Sequence, residues 1–184
     1  QLRNRFNLSP IPVSERVMGM QLIETIEVGS GGAASIEFTG IPQDGVDLVL
    51  QVSARNSDAT PTVILGTLNS DTGSNYGSVS LEGDGASPST SSATLGFWRL
   101  RITGSGDTAN TFGSGQLYIS NYASTTNKSL SGDSVSENNA TTAYQRLDAM
   151  SYATSSAITS IQAAIAGDNF AEFSTASLYM ITAD

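Results

Sequence analysis

The chain has 184 residues with no Cys and no His, 14 % charged residues and a formal net charge of −9. Disulfides, thiolate or imidazole metal sites, and Ser-His-Asp or Cys-His catalysis are thereby excluded within it, and eight Lys and Arg against seventeen Asp and Glu leave no basic surface to neutralise the phosphates of a nucleic acid. One domain of this length buries a sizeable core without covalent help, and no run approaches the about 20 apolar residues of a membrane helix.

The first twenty residues differ from the rest. Arg3, Arg5 and Arg16 against Glu15 leave residues 1–20 at +2, and the others, five basic against sixteen acidic, at −11. Phe6, Leu8, Ile11 and Val13 keep no sustained period, and Ser9-Pro10-Ile11-Pro12 favours extended backbone. The prolines also interrupt the first apolar cluster before it reaches the length of a secretory signal, so synthesis in a cytoplasm is expected. Gln1 in place of Met reads as a processed, trimmed or partly represented terminus. We expect an extended arm over 1–20 that attaches through Arg3, Arg5, Phe6, Leu8, Pro10, Ile11, Pro12, Val13 and Arg16, followed by a sandwich domain over 21–184.

The domain reads as strands joined by Gly, Ser, Asn and Asp turns. In 21–28, Leu22, Glu24, Ile26 and Val28 share one side and Ile23, Thr25 and Glu27 the other, a strand whose apolar side a carboxylate interrupts. Gly29-Ser30-Gly31-Gly32 is a turn, and Ala34, Ile36 and Phe38 resume the alternation, so a hairpin is expected. After a turn over 40–45, Val46, Leu48, Leu50, Val52 and Ala54 point one way. Asp47, Gln51 and Ser53 point the other, with Val49 among them, which makes 46–54 the clearest period-two segment and the expected core strand.

Residues 62–68 alternate again. The following loop, Asn69-Ser70-Asp71-Thr72-Gly73-Ser74-Asn75, has too few carboxylates and no terminal Glu for a calcium loop, so a polar hairpin connection is expected and no metal. A short strand over 77–81 precedes a Gly/Ser/Pro-rich stretch over 83–92, expected as an exposed loop. In 95–102, Trp98, Leu100 and Ile102 oppose Phe97, Arg99 and Arg101. Either the aromatic and arginine side stacks on a sugar or an acidic partner, or Trp98 fills the core while the arginines pair with carboxylates. The second is preferred, because buried aromatics dominate β-cores. Strands follow over 112–121, 128–137 and 144–153. Residues 155–166 fit a helical stripe (Ile158, Ile161, Ile165) or a strand (Ile161, Ala163, Ile165), and 173–181 is the last strand.

Four motifs carry a resemblance: Val28-Gly29-Ser30-Gly31-Gly32-Ala33-Ala34-Ser35-Ile36-Glu37-Phe38-Thr39-Gly40-Ile41-Pro42; Tyr118-Ile119-Ser120-Asn121-Tyr122-Ala123-Ser124-Thr125-Thr126-Asn127-Lys128-Ser129; Asp133-Ser134-Val135-Ser136-Glu137-Asn138-Asn139-Ala140; and Phe173-Ser174-Thr175-Ala176-Ser177-Leu178-Tyr179-Met180-Ile181. Together they resemble a family of small structural proteins from tailed bacteriophages of marine bacteria and cyanobacteria, over about residues 21–181. The arm lies outside the resemblance, and the turns can be wholly structural, because Asn and Ser tolerate the left-handed backbone of tight connections. In the ambiguous segment the resemblance favours a short turn followed by a strand.

About ten short strands and no convincing helix imply an all-β, antiparallel sandwich of jelly-roll or Greek-key type; the missing crossover helices exclude a parallel α/β fold. The resemblance implies a non-enzymatic virion protein, and the arm adds attachment: a capsid decoration (cement) protein on the outer surface of the particle. Its expected partners are sister subunits in a homotrimer and another virion protein such as the major capsid protein, without cofactor, nucleic acid or membrane. Apolar residues on both sides of strands, Ile23 opposite Leu22 and Val49 opposite Leu48, suggest a packed neighbour. The alternative is a tail-fibre or spike module whose loops, with Asn75, Tyr76, Ser87, Tyr122, Asn138 and Asn139, bind host glycans. A glycan hydrolase using paired carboxylates is a distant third.

Overall fold

Alternation becomes twelve strands in the computed structural model, which describes residues 19–59, 62–137 and 143–182. In chain order these are β1 (Gly19–Glu27), β2 (Ser35–Thr39), β3 (Asp47–Ala54), β4 (Thr62–Leu68), β5 (Tyr76–Gly83), β6 (Pro88–Leu95), β7 (Trp98–Ile102), β8 (Gly113–Ile119), β9 (Lys128–Glu137), β10 (Ala143–Tyr152), β11 (Ser160–Ala164) and β12 (Thr175–Thr182). Eight strands pair in the order β1-β12-β3-β8-β9-β10-β5-β6 and four in the order β2-β11-β4-β7, every strand pairing antiparallel. The two sheets pack face to face, so the all-β sandwich stands.

The core lies between the layers. β3 contributes Leu48, Leu50, Val52 and Ala54, β8 Leu117 and Ile119, and β12 Ala176, Leu178 and Met180. The small sheet answers with Ile36, Phe38, Ile64, Leu68, Ile161 and Ala163, and with Trp98, Leu100 and Ile102 of β7. Trp98 is completely buried because its cross-strand neighbour is Gly66: a Cβ there would lie 2.0 Å from the indole ring. Leu100 settles onto Gly115 and Gly132 of the large sheet, where a Cβ would come 3.3 and 3.2 Å from its methyls. At Gly113 a Cβ would meet the backbone of Ile102 and Thr103 at 2.9 Å. β7 is therefore held almost against β8 and β9.

Several connections differ from expectation. β1 and β2 are no hairpin; they lie in different sheets, and Val28 continues β1 by bonding to Ser174. β1 carries a register shift between Leu22 and Glu24, which explains its poor alternation. The 69–75 loop likewise carries the chain from β4 in the small sheet to β5 in the large one. Part of the expected 83–92 loop is β6, in unbroken register with β5; its Ser and Thr residues look like loop composition yet have β-branched or small side chains that suit an exposed ribbon. The strand expected over 95–102 breaks at Gly96 and Phe97. Val49, expected as surplus apolar surface, is buried, flanked across strands by Tyr179 and Tyr118. In the ambiguous segment, 155–159 are irregular and Ser160–Ala164 form β11, with Ile158, Ile161 and Ile165 all buried. β1 starts at Gly19, within the stretch read as arm; residues 1–18 lie outside the described residues.

Gly66→Ala should cost about 1–3 kcal/mol or more by overpacking the Trp98 site, read as a lower denaturation midpoint. Gly83→Ala, where a Cβ meets nothing within 4 Å, should leave the midpoint nearly unchanged.

Candidate functional site

The outward side chains of the eight-stranded sheet form a continuous surface, and cross-strand register sorts them into rows. One row runs Ser177, Gln51, Gln116, Asp133, Leu147, Leu81 and Thr90; beside it runs Thr175, Ser53, Ser114, Val135, Gln145, Gly83 and Pro88. The character changes along these rows. Over β12, β3 and β8 it is hydroxyl and amide, and a shallow cleft of about 410 Å³ is lined by Gln51, Ser53, Ser114, Gln116, Asp133, Thr175 and Ser177. Over β9, β10 and β5 it is apolar: Val79, Leu81, Leu147 and Val135 are 58, 47, 44 and 42 % exposed. A second cleft, of about 470 Å³, lies between Leu81, Pro88, Val135, Tyr144 and Leu147.

The apolar end faces outward because the space behind it is filled with charge. Arg146 of β10 grips Asp148 through Nε and Nη2 at 2.6 and 2.9 Å and Glu82 through Nη1 at 3.0 Å. From β7, Arg101 donates to Glu82 at 2.8 Å and to Ser136 at 3.0 Å, and lies 4.1 Å over the Tyr144 ring. Arg99 donates to Ser78 at 2.9 Å and stands 3.6 Å from Asp148. Three guanidiniums thus share two carboxylates. Burial, and then the charge of Arg146, hold the Arg99 guanidinium below its usual pKa. Trp98 fills the core and both β7 arginines pair with carboxylates, as the preferred reading of 95–102 had it. Asp148, the most buried carboxylate among the described residues, accepts from Arg146 at both oxygens.

Two loops are each organised around a buried cation. The Arg55 guanidinium donates to the backbone carbonyls of Ser105, Asp107, Thr108 and Thr111 at 2.6–3.1 Å. Lys128, 1 % exposed, donates to the carbonyls of Ser124, Thr126 and Ser156, and burial lowers its pKa. The 69–75 loop is closed by Asp71, which accepts from Gly73 N and Asn75 Nδ2 at 2.8 Å and from the Tyr152 hydroxyl at 3.1 Å. Among the described residues no group of three or more acidic side chains converges as a metal site would require.

The loop residues expected to bind glycan do not form one surface. Tyr76 and Tyr122 are completely buried, which corrects their placement on exposed tips. Tyr76 stacks on Tyr152 with ring centroids 4.8 Å apart, and its hydroxyl accepts from Leu68 N at 2.8 Å. The Tyr122 hydroxyl donates to Pro42 O and accepts from Gly45 N. Both are tyrosines whose rings fill the core while the hydroxyl satisfies loop backbone. Asn75 is half-buried and tied to Asp71. Ser87 is exposed at the turn into β6, its N–H bonded to Asp84. Asn138 and Asn139 lie outside the described residues, as do Arg3, Arg5, Phe6, Leu8, Pro10, Ile11, Pro12, Val13 and Arg16.

No protein-family model, curated protein or solved structure matches the chain.

Hydrogen bonds from Asn75 first, and then from Gly73, hold the Asp71 carboxyl below its usual value of 3.8. A depressed folded-state pKa gives stability that is present above the unfolded value and fades as pH falls through the folded one. Asp71→Asn should therefore cost about 1 kcal/mol at pH 7 and less as pH falls below 4, so the melting curves of the two proteins converge in acid. Lys128→Met strands three loop carbonyls and should cost about 1–3 kcal/mol in a denaturant titration.

Proposed function

We propose that the chain is a non-enzymatic structural protein of a tailed-phage virion, a decoration or cement protein on the outside of the head, assembled as a homo-oligomer and attached to a neighbouring capsid protein through residues 1–20. The motif resemblance supports the phage setting. The single observation that carries the structural role is the outward apolar end of the large sheet: four half-exposed aliphatic side chains on adjacent strands suit a surface that a neighbour covers. The arm supplies attachment. Its Phe6, Leu8, Ile11 and Val13 contribute about 1.5–3 kcal/mol each when fully buried, against about 1–2 kcal/mol per residue for ordering the backbone, so backbone pairing with a neighbour, or Arg3, Arg5 and Arg16 against acidic surface, must add to it.

The hydroxyl and amide cleft favours a second reading, a tail-fibre or spike module that binds a host glycan. Its planar amides, Gln51 and Gln116, sit directly opposite one another in a geometry suited to sugar hydroxyls. Location in the particle separates the two: density for the chain over the head shell supports decoration, and density at the tail tip supports the spike.

A chain starting at Gly19 should melt at nearly the temperature of the full chain, because the described core begins at β1, yet fail to join the particle. Binding of the full chain should weaken as salt rises, since exposed ion pairs are screened. Normal assembly of the shortened chain would overturn the attachment role.

A further inference from the structure

The two sheets leave four edge strands among the described residues: β1 and β6 on the large sheet, β2 and β7 on the small one. An edge presents unpaired backbone N–H and C=O groups, and proteins that stay apart guard it with charge, brevity, bulges or proline. Three of the four are guarded. β1 has Glu24, Glu27 and a register shift; β2 has five residues with Glu37 at the centre; β7 has five with Arg99 and Arg101. β6 is different. Pro-Ser-Thr-Ser-Ser-Ala-Thr-Leu is eight residues long, carries no charge, pairs with β5 without a break and is exposed over seven of its eight residues. Its one guard, Pro88, stands at the first position.

β6 also projects. The last strand of the small sheet, β7, packs over β8, β9 and β10, so β5 and β6 extend beyond the upper layer. Two copies brought together along β6 would keep their β10 strands five inter-strand spacings apart, roughly 24 Å, and the small layers would not collide.

We propose that β6 pairs with β6 of a second copy of this chain, antiparallel about a twofold axis through Ser92. The occupant follows from charge and from register. A chain at −9 repels its own acidic edges, whereas β6 is an edge along which two copies meet no like charge. Centred on Ser92, the pairing runs from Ser89 to Leu95 of each strand and leaves Pro88, which lacks an N–H, outside the ladder. Thr90 then faces Thr94 of the second copy, and Ser92 faces Ser92, a ladder of hydroxyls of the kind that stabilises cross-strand pairs. A twofold axis normal to the sheet keeps both outward faces on the same side, so the Val79, Leu81 and Leu147 patches of two copies lie on one continuous surface. The contact is isologous and joins copies by twos; it stands whatever particle the protein belongs to.

The test uses the full chain with substitutions at exposed positions, each first shown to keep the β circular-dichroism signal and melting temperature. Unmodified protein should sediment as a dimer that dissociates on dilution. Ser92→Cys should form a disulfide-linked dimer under mild oxidation, since directly opposed residues bring Cα atoms to about 4.5–5.5 Å, while Thr25→Cys on β1 should not. Thr90→Lys with Thr94→Lys places lysine opposite lysine and should weaken dimerisation at least tenfold. An equimolar mixture with the Thr90→Glu, Thr94→Glu protein should restore it. Three outcomes overturn the proposal: a monomer at every accessible concentration, equal cross-linking from Thr25→Cys, or a dimer lost on removal of residues 1–18, which would make the arm the occupant.

Discussion

Everything in this sandwich is set by how closely β7 lies on the large sheet. Gly113, Gly115 and Gly132 remove the side chains that would hold it off, and Gly66 removes the one beside Trp98. Among the strands of the small sheet, β7 is the one whose backbone lies near β8, β9 and β10. Arg99 and Arg101, leaving β7 on the side away from the core, then reach β5, β9 and β10 and meet Ser78, Glu82, Ser136 and Asp148. A bulkier residue at Gly113, Gly115 or Gly132 would lift β7 and draw Arg99 and Arg101 away from Asp148 and Glu82, so packing and ion pairing at this end stand or fall together.

The same closeness explains the inverted pattern of β9, β10 and β5. In Ser134-Val135-Ser136, Arg146-Leu147-Asp148 and Ser80-Leu81-Glu82 the apolar residue faces solvent and the polar ones face inward. A strand's parity is common to its whole length. Leu130 fixes it for β9, and Met150 and Tyr152 for β10, each buried over the true core; the other halves must follow, and their polar side chains land under β7. The inward groups find partners, and the outward aliphatics become the surface.

The fold was largely legible because period two is a local signal: β3, β9 and β10 can be read within a residue or two from alternation. What alternation cannot say is which sheet a strand joins. Val28 to Ala34 and Asn69 to Asn75 look like hairpin turns, yet both carry the chain between layers, since the choice depends on partners far along the sequence such as Ser174 and Tyr152. The site was less legible. Tyr76 and Tyr122 sit beside Asn-rich turns and read as loop tips, whereas their rings are core and only the hydroxyls serve the loops. Arg55 and Lys128 gave no sequence signal, because a carbonyl cage is assembled from backbone that any residue supplies.

Those two cages have a consequence for durability. Extracellular β-proteins often fix a wandering loop with a bound cation, which dilution or a chelator can strip away. Here the cation arrives tethered to the chain: its effective concentration is set by the fold and not by the medium. The loops 105–111 and 124–126 are therefore held by cations that neither dilution nor a chelator can remove.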